Sequence, residues 1–144
     1  GGHPGFNASP INDFEIIFSE KEFIKSNQLS GPYINENEID IIQTDRISMD
    51  KTIFDNDALI FQGLNSKEVS LQKKNSTYAV KMNIDEFPYL GIWAKPGAPY
   101  VCLEPWQGLA DYLDHNKNIE HKKGIILLPF GEEIEKIFRM TFTS

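Results

Sequence analysis

The chain has 144 residues, of which 40% are hydrophobic, 12% aromatic and 24% charged, a balance that folds around one apolar core and argues against disorder or two independent domains. With 14 Lys plus Arg against 21 Asp plus Glu, a net charge of -7, and Lys73-Lys74 and Lys122-Lys123 as its basic clusters, it is expected to have neither nucleic acid nor anionic membrane as a partner. The single cysteine, Cys102, permits no intrachain disulfide; with no signal peptide and no long apolar run, the expected setting is the reducing cytoplasm, where the sequons at Asn7 and Asn75 carry no meaning.

The chain opens on Gly1-Gly2-His3-Pro4, without an initiator Met. Beyond it, apolar residues recur in short runs bounded by Gly, Pro, Asn and Asp, which predicts strands over 13–18, 38–43, 59–62, 68–73, 78–84, 89–94, 101–103, 124–128 and 135–143. Val69 and Leu71 alternate with Ser70 and Gln72, and Ile137, Met140 and Phe142 recur near the end, so many strands should turn one face to a core and one to water. Gly31-Pro32-Tyr33 and Asn35-Glu36-Asn37 read as a loop. Asn65-Ser66 and Lys74-Asn75-Ser76 read as hairpin turns of an antiparallel meander, and 97–99 as a rigid turn. Short helical character is expected only over 107–114.

In Tyr100-Val101-Cys102-Leu103-Glu104-Pro105-Trp106 an acid ends an apolar strand next to a proline that should stop the ladder, which leaves its carboxylate partly desolvated at the sheet rim. That position suits a general base. Trp93 and Trp106 lie near it in sequence, and aromatic faces beside a carboxylate are what a sugar site uses, although both rings also read as ordinary packing and Glu104 as a plain strand end. His3, in a Gly- and Pro-rich surround, offers a proton donor near neutral pH or, equally, a chain-end tail.

Asp55 and Asp57 precede a strand; a cation loop needs more oxygens, so a metal-free turn is expected. His115 and His121 lack zinc-ligand spacing and read as a solvated loop, and Cys102, which alternates onto the face of Glu104, reads as a buried, inert thiol. No metal site or cofactor is expected, and no P-loop, G-x-G-x-x-G or G-x-S-x-G occurs.

Taken together, Gly1-Gly2-His3-Pro4-Gly5-Phe6-Asn7, Phe54-Asp55-Asn56-Asp57-Ala58-Leu59-Ile60-Phe61, Phe87-Pro88-Tyr89-Leu90-Gly91-Ile92-Trp93, and Cys102-Leu103-Glu104-Pro105-Trp106-Gln107-Gly108-Leu109-Ala110-Asp111 resemble the aldose 1-epimerase (galactose mutarotase) family, in its LacX-like branch. Gly124-Ile125-Ile126 and Pro129-Phe130-Gly131-Glu132 resemble that family's C-terminal end. The resemblance implies a mainly β fold, with residues 1–144 as the C-terminal portion of one large antiparallel β-sandwich, a truncated domain.

By the same resemblance Glu104 is the catalytic base, His3 the catalytic acid and Asp57 a ligand of sugar hydroxyls, with Trp93 and Trp106 lining the pocket. The implied activity is interconversion of the α and β anomers of an aldose without metal or cofactor. A non-catalytic sugar-binding sandwich and an inactive structural fragment are the alternatives. Lacking the strand that should precede it, His3 is expected to be loosely placed, and half a sandwich is expected to self-associate or pair with the missing N-terminal half.

Overall fold

The computed structural model describes residues 1–144, except for the side chains of Ile24 and of residues 36–43. Its strands are β1 (Gly5–Asn7), β2 (Phe14–Ser30), β3 (Tyr33–Ser48), β4 (Leu59–Gln62), β5 (Glu68–Lys73), β6 (Ala79–Asn83), β7 (Tyr89–Trp93), β8 (Tyr100–Trp106) and β9 (Met140–Thr143). They follow the order β1-β8-β7-β4-β2-β5-β6-β9, with β3 paired to β2. The fold is mainly β and every strand pairing is antiparallel.

The long β2 joins two parts of the sheet. Its first residues pair with β5, from Phe14↔Lys73 to Phe18↔Val69, while Asn27 pairs with Ile60 of β4. Between them the register against β3 shifts, from Ile17 to Glu22, and such an irregularity bends a strand. The bend is anchored by the buried Glu22 carboxylate, which accepts from the Ser66 amide at 2.6 Å, the Ser66 hydroxyl at 2.7 Å and the Asn65 amide at 3.2 Å. Phe14, Ile16 and Phe18 of β2, Val69 and Leu71 of β5 and Met82 of β6 thereby share one core with Phe61 of β4, Leu90 and Ile92 of β7 and Val101 and Leu103 of β8.

Because side chains alternate along a strand, turning Val101 and Leu103 into that core sends Cys102, Glu104 and Trp106 to the opposite face. On β7 their partners in register are Trp93, Gly91 and Tyr89. A smaller apolar cluster of Ile34, Ile60, Tyr89 and Leu109, with Trp106 against it, lies on this second side.

Several sequence expectations are corrected. Asn65-Ser66 is not a hairpin turn, since β4 and β5 flank β2 rather than each other; these two residues instead serve Glu22. Tyr33 and the stretch 35–37 belong to β3, and only Gly31-Pro32, with Gly31 at φ 60, makes the turn. The helical reading of 107–114 fails because its backbone is engaged elsewhere: Ile34 N–H donates to the Asp111 carbonyl at 2.8 Å and Leu113 N–H to the Ile34 carbonyl at 2.9 Å. Residues 124–128 form no strand, and of 135–143 only β9 is ladder-paired. The strand 101–103 extends through Pro105 to Trp106. The Pro105 carbonyl accepts from Gly2 N–H, so its backbone nitrogen faces the residue 1–4 side and no ladder bond to β7 is lost.

Candidate functional site

Residues 1–7 run along the edge of β8. β1 pairs Gly5↔Cys102, Phe6↔Val101 and Asn7↔Tyr100, and the contact continues backward, with Leu103 N–H donating to the Pro4 carbonyl at 3.2 Å and Gly2 N–H to the Pro105 carbonyl at 3.1 Å. The approach is close enough to require glycine: a Cβ on Gly1 would meet the Pro105 oxygen at 2.3 Å, and one on Gly2 the Phe138 ring at 2.7 Å. His3, expected to be loose, is thus pinned on both sides by its own segment.

That docking brings His3 Nδ1 to 2.9 Å from Glu104 Oε2. Glu104 is 2% exposed and His3 60%, so the pair has a buried member and one open to solvent. The Trp106 indole N–H donates to the Glu104 carboxylate. Burial pushes the Glu104 carboxyl above the ordinary carboxylate range, and His3 and the Trp106 hydrogen bond pull it partly back. A buried carboxyl in contact with an imidazole is equipped to exchange protons with a bound group.

Both tryptophans serve this pair. The Trp93 ring meets His3 edge-on, centroids 6.2 Å apart at 80°, and is itself flanked by Tyr100 at 6.4 Å. Trp106 covers Gly91, whose absent Cβ would fall 2.6 Å from the indole. Glycine at 91 is therefore what lets the indole lie flat against β7 and reach Glu104.

Asp57 stands apart from His3 and Glu104. It lies in the turn before β4 at φ 75, and its Oδ1 accepts from Ala58 N–H at 2.8 Å. With Gln28, Asp55, Trp93 and Pro96 it lines a cavity of about 530 Å³ that neither His3 nor Glu104 lines. Trp93 is the sequence-nominated residue shared by the two places. A cavity of about 660 Å³ lies toward Gln62, Ser66, Glu86, Tyr89 and Gln107, and it too includes neither His3 nor Glu104. His115 and His121 stay with their own loop, accepting from Lys117 N–H at 3.1 Å and bonding to the Asn116 amide at 2.9 Å.

Sequence reasoning read Cys102 as a buried, inert thiol on the face of Glu104 and gave Gly91 no role. Cys102 is buried, and desolvation together with the Glu104 charge pushes its thiol up to about 11. Alternation with Glu104 placed Cys102 on that face from the sequence; Gly91 gave no signal, because its partner Trp106 is distant in sequence.

No protein-family model matches the chain. It is 28% identical over 132 residues to the protein LacX of Lactococcus lactis subsp. lactis, in its plasmid and chromosomal forms, across 85% of this chain and 44% of LacX. Its structure superposes on the galactose mutarotase related enzyme from Lactobacillus acidophilus with a TM-score of 0.90 and 30% identity, over 99% of this chain and 50% of that one. A galactose mutarotase-like protein from Lactobacillus casei ATCC 334 shares the fold with a TM-score of 0.74 at 22% identity, over 85% of this chain and 45% of that one. The chain therefore spans about half the length of the proteins it matches. It is similar to the LacX-like, mutarotase-related proteins, and it has the fold of one part of the galactose mutarotase-like sandwich. Among the described residues no helix is long and apolar enough to cross a membrane.

Proposed function

We propose that this chain carries the acid–base pair of an aldose 1-epimerase, with Glu104 as base and His3 as acid. The observation that supports the reading most directly is the 2.9 Å contact between His3 and the buried carboxylate of Glu104. Anomer exchange needs two proton transfers at oxygens bonded to one carbon, so its acid and base must lie close together. Glu104 takes the proton of the anomeric hydroxyl as protonated His3 gives one to the ring oxygen. The C1–O5 bond breaks and C1 becomes an aldehyde. After rotation about C1–C2 the aldehyde face is reversed; His3 recovers its proton from the O5 hydroxyl, Glu104 returns its own to O1, and the other anomer is released with no net change in the enzyme.

Trp93 and Trp106 would form apolar walls for the sugar ring, and Asp57 would reach hydroxyls remote from C1 through the cavity it shares with Trp93. The aldose would be met in the cytoplasm. Ile125, Ile126, Leu127, Leu128, Phe130 and Ile134 are all exposed, a run of apolar side chains that a stable surface covers. Since the matched proteins are about twice as long, the polypeptide that completes the sandwich is the occupant that fits this run, and full activity belongs to the completed sandwich.

Polarimetry of freshly dissolved α-glucose or α-galactose, with the chain alone and joined to a complementary half, tests this. Acceleration that Glu104→Gln abolishes is the expected result. Sugar binding without acceleration in the joined form would favour a recognition module, and no binding in either form would leave only a structural role.

A further inference from the structure

His3, Cys102 and Glu104 bring an imidazole nitrogen, a thiol sulfur and a carboxylate oxygen within 4.8 Å of one another, and they are the one such ligand set among the described residues. The sequence concealed it, because no zinc-like spacing joins residue 3 to residues 102 and 104. β-structure creates it: Cys102 and Glu104 project from one face of β8, and the edge pairing of β1 with β8 carries His3 beside them.

The three donors match the preferences of a borderline divalent ion. Zn²⁺ takes thiolate at about 2.3 Å and imidazole or carboxylate at about 2.0–2.2 Å, in tetrahedral geometry. Donors around such an ion are then roughly 3.3–3.7 Å apart, so the His3–Glu104 contact of 2.9 Å must open by under about 1 Å. His3, the exposed member, can make that movement while Cys102 and Glu104 stay on their strand. Gly5 lies opposite Cys102 with no side chain, and a Cβ there would come within 3.3 Å of Sγ. One thiolate and one carboxylate neutralise a dication in a buried place, which removes the main cost of bringing it there. Hard cations such as Mg²⁺ or Ca²⁺ want oxygen ligands throughout and fit poorly.

We propose that His3, Cys102 and Glu104 form a three-ligand Zn²⁺ site with an open fourth position, and that occupancy switches off proton transfer by His3 and Glu104. On binding, the Cys102 S–H bond breaks, an S–Zn bond forms and the proton leaves to solvent; no electrons are exchanged. Metal binding rests on this geometry alone, whereas its consequence for ring opening rests on the function proposed above.

Co²⁺, added to the reduced chain as a spectroscopic stand-in, separates the two. The expected result is one equivalent bound with a thiolate-to-cobalt charge-transfer band and tetrahedral visible bands, both displaced by Zn²⁺. Cys102→Ser should remove the charge-transfer band, and His3→Gln and Glu104→Gln should each weaken binding by at least roughly tenfold. His115→Gln and His121→Gln should change nothing. Absence of the sulfur band, or full binding in His3→Gln and Glu104→Gln, would each overturn the site. A bound metal that leaves sugar mutarotation untouched would instead overturn the function assigned to the pair.

Discussion

Gly91→Ala is the substitution that best probes how the site is held. A Cβ at this position would lie 2.6, 2.7 and 3.1 Å from three atoms of the Trp106 indole, where carbon atoms prefer about 3.5–4.0 Å. The ring must therefore retreat by about 1 Å. Overpacking of this kind costs about 1–3 kcal/mol, and an indole drawn away from Glu104 forfeits a hydrogen bond to a charged acceptor, about 1.5–3 kcal/mol. Against this, replacing glycine in a strand recovers about 0.4–1 kcal/mol of chain entropy. Crowding wins, and the expected net loss is about 3–4 kcal/mol.

Urea unfolding followed by circular dichroism measures that loss, and Trp106 emission reports the displaced ring. A second measurement fixes the cause. With Trp106→Ala the obstruction is gone, so Gly91→Ala should become neutral or stabilising by up to about 1 kcal/mol. The same penalty in both backgrounds, or an unaltered stability and emission in the single variant, would refute the claim that glycine is there to seat the indole. Where mutarotation is measured, the 1 Å displacement should also lower the rate by about 100-fold.

Glu104→Gln should stabilise the fold while removing the proposed base. The folded state raises the Glu104 carboxyl pKa, so the native protein holds that proton to higher pH than the unfolded chain does. Stability contributed by this group is then lost as pH rises from its unfolded value of about 4.3 through its folded value; unfolding of the chain and of Glu104→Gln from pH 4 to 8 should diverge across that window, and a constant difference would contradict it. Phe61→Ala removes a fully buried ring that meets Phe18 edge-on at 5.8 Å and should cost about 3–5 kcal/mol in the same unfolding assay. Gly2→Ala drives a Cβ into the Phe138 ring, and should loosen the edge segment, seen as faster exchange of the Leu103 amide, which donates to the Pro4 carbonyl, with little change in global stability. Phe130→Asp alters a side chain with no burial to lose, so stability should stay within about 0.5 kcal/mol while sedimentation shows weaker pairing with a complementary half; undiminished pairing would remove this run from the interface.

Two short strands were legible from the residues alone, 59–62 and 68–73 matching β4 and β5 residue for residue: Val69 and Leu71 alternate into one core, and the apolar run of β4 is buried on both faces, Leu59 and Phe61 in the main core and Ile60 in the second cluster. β2 was read only as 13–18, since Ser19, Glu20, Lys21 and Glu22 carry no apolar period; its continuation is secured by pairing to β3 and by the bonds from Asn65 and Ser66 to Glu22. The opposite error occurred at 124–128, where four consecutive apolar residues suggested a buried strand. Their side chains face outward here, and hydrophobicity alone cannot tell a strand from a surface awaiting a partner.

The same division separates what the site's residues could reveal. Glu104 and Trp106 announce themselves on one strand, two positions apart, and alternation places both on the face away from Val101 and Leu103. His3 comes to them only through the β1–β8 edge pairing, a contact across about a hundred positions that no local pattern encodes. This arrangement puts the core on one side of β8 and the reactive groups on the other. Core substitutions such as Phe61→Ala should therefore act on stability first, whereas changes at Gly2 or Gly91 act on the distance between His3, Glu104 and Trp106. A His3–Glu104 contact assembled from a sheet edge can be tuned by small shifts of that edge, and the glycines at 1, 2 and 91 are where the backbone leaves no room for a side chain to disturb it.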